Sequence, residues 1–187
     1  MLVLWQDNKE TQLKHLVSLI AVLFVSVSVF ALPSGFSSIK LGMSVDEVKS
    51  ALKKEPQFGY RGERDVSLSP SDGQVLIETD TKYAPYSFLE RCWFQFSDGK
   101  LYTIIINLNA EKIDHYSVFS TLCEKYGNPD EISPKKSLWK DNSVIMSLEK
   151  PLALKYVDAK TFSSKQESSN VDKTAFEKSR DEFLKGL

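Results

Sequence analysis

The side chains that could do chemistry are few and scattered along the 187 residues. His115 follows Asp114 at the start of a helical stretch, which invites a catalytic-pair reading. Neighbours at i and i+1 on a helix do not face one another. His115 therefore reads as a solvated helix-end residue. Glu78, Asp80 and Glu90 are carboxylates on strand or loop segments, with no spacing that makes an acid–base pair. A zinc centre needs three or four ligands at recognisable spacings, and His115, the one histidine beyond residue 31, supplies none with two distant cysteines. Gly42-Met43-Ser44 at a helix start lacks the further glycines and the Lys-Ser/Thr pair of a phosphate loop. The sequence thus predicts no catalytic, metal or cofactor-binding residues, and no enzyme.

Cys92 and Cys123 remain. No CxxC spacing joins them, so redox chemistry has little support. Cys92 lies on the Phe94/Phe96 face of its segment, and Cys123 on the apolar stripe of a helix. If that helix packs on that face, the sulfurs meet as a disulfide. The other reading is two buried thiols.

Which elements carry these residues? Ser44 and Glu47 form a capping box that starts a helix, Val45, Val48, Ala51 and Leu52 give it one apolar face, and Pro56 stops it. Gly59 to Gly73 is turn-rich, with room for one short strand. "QVLIETD" from Gln74 is a strand. "FLERCWFQFSDGKLYTIIINLN" reads as two strands joined at Asp98-Gly99, a strong hairpin signal. Counting outward from a two-residue turn pairs Phe96 with Leu101, Phe94 with Thr103 and Cys92 with Ile105. The opposite face then carries Trp93, Tyr102, Ile104, Ile106 and Leu108. So apolar a second face predicts a covering element or a partner.

A second helix carries Phe119, Leu122, Cys123 and Tyr126 at i, i+3, i+4 and i+7, and Gly127 and Pro129 end it. A hairpin turning at Asp141-Asn142 and a strand from Leu152 to Val157 follow. Ser44 to Pro56 and Ser117 to Pro129 share a spacing, and each precedes a tryptophan-bearing strand. That pattern suggests a duplicated unit over 39–110 and 111–158. "AKTFSSKQESSN" after Asp158 reads as a linker. Val171, Ala175, Ser179, Phe183 and Leu187 then line one side of a C-terminal amphipathic helix.

The N-terminal residues form an address. Lys9, Lys14 and His15 precede the apolar run LVSLIAVLFVSVSVFA, and Val29-Phe30-Ala31 resembles a cleavage site. Residues 1–31 therefore read as a signal peptide. A membrane anchor over 16–32 is the alternative, although spanning normally takes roughly 20 apolar residues. Asp7 and Glu10 in the leading segment suggest that the true start codon lies downstream. The net charge of −1 gives no basic stripe for nucleic acid.

The stretch "LGMSVDEVKSALKKEP" resembles the SmpA/OmlA-type periplasmic module, the small lipoprotein of outer-membrane protein assembly. The tandem form of that module is similar to the β-lactamase-inhibitor-protein fold. The resemblance implies an α+β envelope domain that binds protein rather than performing chemistry. This chain departs from the assembly lipoprotein in having no lipidation cysteine after the apolar run.

The sequence-level expectation is an α+β domain over 32–158, with short helices packed on an antiparallel sheet. A linker and C-terminal helix occupy 159–187. Its expected role is a non-catalytic, periplasmic or secreted protein-interaction module whose partner is another envelope protein. A small-molecule or lipid-binding protein is the alternative, and membrane association requires a retained N-terminal segment.

Overall fold

The computed structural model describes residues 31–68, 74–167, Arg180 and 183–186. The apolar segment before Ala31 lies outside the described residues, as does most of the expected C-terminal helix. Arg180 and 183–185 of that stretch are helical, with Phe183 and Leu184 exposed. Among the described residues no helix is long and apolar enough to cross a membrane.

Local sequence sets the first elements. A short hairpin of β1 (Gly35–Phe36) and β2 (Ile39–Lys40) leads into helix α1 (Val45–Lys54). Ser44 caps α1 as its spacing predicts: the Glu47 amide donates to Ser44 Oγ at 3.3 Å, and the Ser44 amide donates to Glu47 at 2.7 Å. Val48, Ala51 and Leu52 turn inward. Pro56 to Phe58 form a single 3-10 turn that drives Phe58 into the core. Gly59 is required there. Its φ is +64°, and a Cβ would stand 2.5 Å from the Asp80 carbonyl oxygen.

Four strands follow: β3 (Val66–Leu68), β4 (Val75–Asp80), β5 (Leu89–Ser97) and β6 (Lys100–Leu108). Helix α2 (His115–Tyr126) precedes β7 (Glu131–Ile132), β8 (Lys136–Lys140), β9 (Val144–Glu149) and β10 (Ala153–Asp158). All eight join one antiparallel sheet in the order β3-β4-β5-β6-β10-β9-β8-β7. The order follows the sequence inward from each edge, and the last strand of each group meets the other at the β6–β10 pair.

Both helices lie on one side of this sheet. Ile77, Phe94, Ile104, Tyr156, Met146 and Trp139 stand side by side across six strands on that side, and all are buried. Phe58 meets the Phe94 ring edge-on at 5.8 Å, and Phe119 of α2 packs against Trp139 at 6.2 Å. The Trp139 indole N–H donates to the Gly127 carbonyl at 2.9 Å, tying the end of α2 to β8. Burial of these aliphatic and aromatic side chains, at roughly 1.5–3 kcal/mol each, is the main force holding helices to sheet.

The β5–β6 pair departs from the simple hairpin count. Asp98 and Gly99 form the turn with φ of +52° and +72°, and Phe96 faces Leu101 as expected. Beyond that, Gln95 pairs with Thr103, so Tyr102 is an extra residue, a β-bulge. Every later side chain of β6 changes face. Ile104, Ile106 and Leu108 join Phe94 and Cys92 in the core instead of lying on the second face. The physical reason is burial. The regular register would direct Asn107 inward, stranding a polar group at about 1–3 kcal/mol, whereas Thr103 is buried even in the bulged one. The bulged one buries three aliphatic side chains instead, because a one-residue shift exchanges the faces.

Residues 159–167 are helical rather than a linker. Asp158 accepts the Thr161 amide at 2.8 Å, so it caps a third helix, α3, that follows β10 directly.

Candidate functional site

The second face of the sheet is only partly the surface that simple alternation predicts. Trp93 and Tyr102 are there, half-buried, joined by Ile105; Ile104, Ile106 and Leu108 have left for the core. One row across it runs Glu78, Trp93, Ile105, Lys155, Ser147 and Leu138, a mixture of charged, polar and apolar side chains. Arg91 bridges to Glu78 at 3.0 Å and places its guanidinium 5.8 Å from the Trp93 ring centre. Lys165 of α3 stands 5.1 Å over the Tyr102 ring. Both of these half-buried rings therefore have cations over them. Glu78 works as half of an ion pair, and Asp80 accepts the Lys82 amide at 2.8 Å.

The cysteines are not bonded. Cys92 lies in the sheet core opposite Thr79, and burial pushes its thiol up to about 12. Cys123 sits half-buried on α2, and burial raises its thiol as well. Such thiols hold little thiolate near neutral pH, which is poor equipment for a nucleophile. His115 occupies the first turn of α2, whose cap is Asp114. The Ser117 hydroxyl and amide donate to that carboxylate at 2.6 and 2.9 Å, holding it below the usual carboxylate range. Asp114 is thus a helix cap rather than a partner for His115. Among the described residues no three His, Cys, Asp or Glu side chains are grouped to hold a metal ion.

The most distinctive surface lies elsewhere, on the connection from β4 to β5. "APYSF" presents Tyr86 at 93% exposure and Phe88 at 56%. They are two of eight large hydrophobic side chains exposed among the described residues, and what sets them apart is how heavily their connection is bonded. Ser87 Oγ donates to the Gln57 carbonyl at 2.8 Å and accepts the Leu89 amide at 3.0 Å. The Ser87 amide donates to the Ala84 carbonyl at 2.9 Å, and Asn109 donates to the Phe88 carbonyl at 2.8 Å. Lys112 reaches in from the β6–α2 connection and donates to the carbonyls of Pro85 and Ser87, the latter at 2.8 Å. At the base, Thr81 Oγ1 donates to the Leu89 carbonyl at 2.7 Å. Between this loop and Pro56-Gln57 lies a cleft of about 400 Å³.

The loop is therefore built in advance: Pro85 limits the backbone, five partners brace it, and two rings project. Sequence reasoning passed over it because it searched the strands for an apolar face. The signal that could have found it is two aromatics beside a proline in a segment too short and broken for a strand.

Fold and site together define an antiparallel α+β domain with an exposed, pre-ordered aromatic loop. A TP0088 domain model matches residues 34–168, which is most of the chain, and the protein belongs to the TP0088 domain family. No curated protein and no solved structure matches it.

Proposed function

We propose that this protein is a non-catalytic interaction module of the cell envelope that binds another envelope protein through the Tyr86/Phe88 loop. The observation that carries the reading is the bracing of that loop. Rigid aromatic side chains in a fixed backbone lose little entropy on docking, which is the property of interface anchors. The signal-like run before Ala31 supports placement outside the cytoplasm, and the SmpA/OmlA-type resemblance at Gly42 to Pro56 supports protein binding.

The same reading treats the domain as two tandem helix-plus-strands units. The mirrored strand order supports it. So does a local correspondence counted from the helix caps. Ser44 and Asp114 are the caps, Met43 and Ile113 precede them, and Val48/Leu52 match Val118/Leu122 four and eight residues on. This alignment differs from the Ser44/Ser117 spacing by three residues. The tryptophan echo does not survive it: Trp93 is on the third strand of its group and Trp139 on the second of its own.

Crosslinking intact cells and purifying the tagged protein tests the function. A specific envelope partner is expected, and changing Tyr86 and Phe88 together to alanine should weaken capture at least 30-fold, as removing an anchor worth about 2 kcal/mol does. No specific partner, or equal capture by the double variant, would refute the reading. The cleft beside the loop is large enough for a small ligand, within the ~300–1,000 Å³ of ordinary binding sites. A defined ligand retained in native mass spectrometry would favour that second reading.

A further inference from the structure

Leu32 makes a contact that its place in the sequence does not explain. Its backbone N–H donates to Asp141 Oδ2 at 3.2 Å, across 109 positions of chain. Asp141 is the first residue of the β8–β9 turn. Its other oxygen, Oδ1, is occupied by that turn, accepting the Ser143 amide at 2.7 Å, the Ser143 hydroxyl at 2.9 Å and the Val144 amide at 2.7 Å. Oδ2 is thereby aimed at Leu32. The Leu32 side chain is half-buried and packs against the core, whereas Ala31 is exposed. Among the described residues, the first nitrogen bonded to the domain is thus the one that follows the expected cleavage site.

We propose that Asp141 is a receptor for a new chain terminus: cutting after Ala31 creates a Leu32 α-ammonium that forms an ion pair with the Asp141 carboxylate. A signal-type peptidase would add water across the Ala31–Leu32 peptide bond. The acyl carbon leaves as the Ala31 carboxylate, and the Leu32 nitrogen takes up protons to become –NH₃⁺. A free α-amine has a pKa of about 7.7–8.0, so it is mostly charged at neutral pH. The amide offers the carboxylate one neutral donor. The ammonium offers three donors and adds the attraction of a full positive charge to a bond whose acceptor is already charged. Processing would therefore tighten the mature domain and leave the precursor less stable. This inference rests on the export reading above.

The test expresses the full chain in a host with a functioning export and signal-peptidase system, then purifies the product. Intact and peptide mass should give Leu32 as the first residue. Selective transamination, which converts the α-amine to a ketone and spares lysines, should lower the melting temperature by about 2–6 °C, given ~2–4 °C per kcal/mol at this size. Asp141→Asn should lower it comparably while keeping the Oδ1 turn acceptor, and transamination of that variant should add nothing. A product beginning at another residue overturns the proposal and leaves export intact. A product still carrying residues 1–31 overturns the receptor proposal, and its recovery in the cytoplasmic fraction overturns the export reading as well. Correct processing with no effect of transamination, or an equal effect in Asp141→Asn, overturns the receptor role alone. Should Asp141→Asn fail to fold, transamination of the unmodified sequence still decides.

Discussion

Replacing Ile104 by alanine and, separately, Ile105 by alanine tests the feature on which the sheet's two faces depend. In the bulged register Ile104 is fully buried between Phe94 and Tyr156, whereas Ile105 is half-exposed beside Trp93 and Lys155. Alanine deletes three carbons at either site. At about 0.8 kcal/mol per buried methylene the transfer loss at Ile104 is about 2.4 kcal/mol. A partly relaxed cavity adds roughly 1 kcal/mol, which brings the cost to about 3–4 kcal/mol. At Ile105 part of the side chain is already in water and no closed cavity forms, so about 1 kcal/mol is expected. Urea unfolding followed by tryptophan fluorescence reads both. With a slope of about 2 kcal/mol per molar, Ile104→Ala should move the midpoint down by about 1.5–2 M and Ile105→Ala by about 0.5 M. The unbulged register makes the opposite prediction, because it puts Ile105 inside and Ile104 outside. A larger loss for Ile105→Ala than for Ile104→Ala would refute the bulge and the face assignment with it. If Ile104→Ala does not fold, the milder pair Ile104→Val and Ile105→Val should rank the same way, with losses near 1 kcal/mol and below.

Three further outcomes follow from other parts of the molecule. In native protein at pH 8 a thiol reagent should modify Cys123 only slowly and Cys92 not at all, since burial holds Cys92 near 12; denaturant should release two titratable thiols. Rapid native labelling of Cys92 would contradict its place in the core. Ser44→Ala should lower stability by about 1 kcal/mol in thermal unfolding, because it opens the cap of α1, and Ser44→Gly should cost less. Glu55 ties down the β1–β2 turn. Burial alone would raise its carboxyl, but donors from Ser37, Ser38 and Gln57 outweigh it and hold the group below the usual range. Its contribution is therefore full above the ordinary glutamate pKa of about 4.3 and is lost as pH falls through the lower folded value. Glu55→Gln should flatten that acid limb in a series of melts from pH 6 to pH 3, and an unchanged limb would contradict the clamp.

Much of the local structure was legible in the residues. The Ser44/Glu47 box, the Gly127 stop and the Asp98-Gly99 turn each depend on groups within a few positions, so spacing alone specifies them. The position of Cys123 on its helix was readable in the same way. The sheet faces were harder. Counting from the turn gave the correct Phe96–Leu101 partner and failed one residue later, because a bulge is chosen by the balance of burial along the whole strand. The clue was present: Ile104, Ile106 and Leu108 alternate with Ile105 and Asn107, and only an extra residue at Tyr102 reconciles that alternation with the turn. The aromatic loop was missed for a different reason. Exposure of Tyr86 and Phe88 follows from what the neighbouring chain does not cover, and no local pattern encodes that.

The sequence by itself determined α1, α2, the turns and an antiparallel α+β domain, since these arise from short-range hydrogen bonds and the periodicity of apolar side chains, whereas it read α3 as a linker. Tertiary structure decided what those elements are for. It placed β6 against β10 at the sheet centre, separated Cys92 from Cys123, set cations over Trp93 and Tyr102, and braced one loop with partners drawn from three connections. It also brought Asp141 to the nitrogen of Leu32. Each of these joins residues far apart in the chain, and each depends on the total apolar area buried when both halves of the sheet close under their helices.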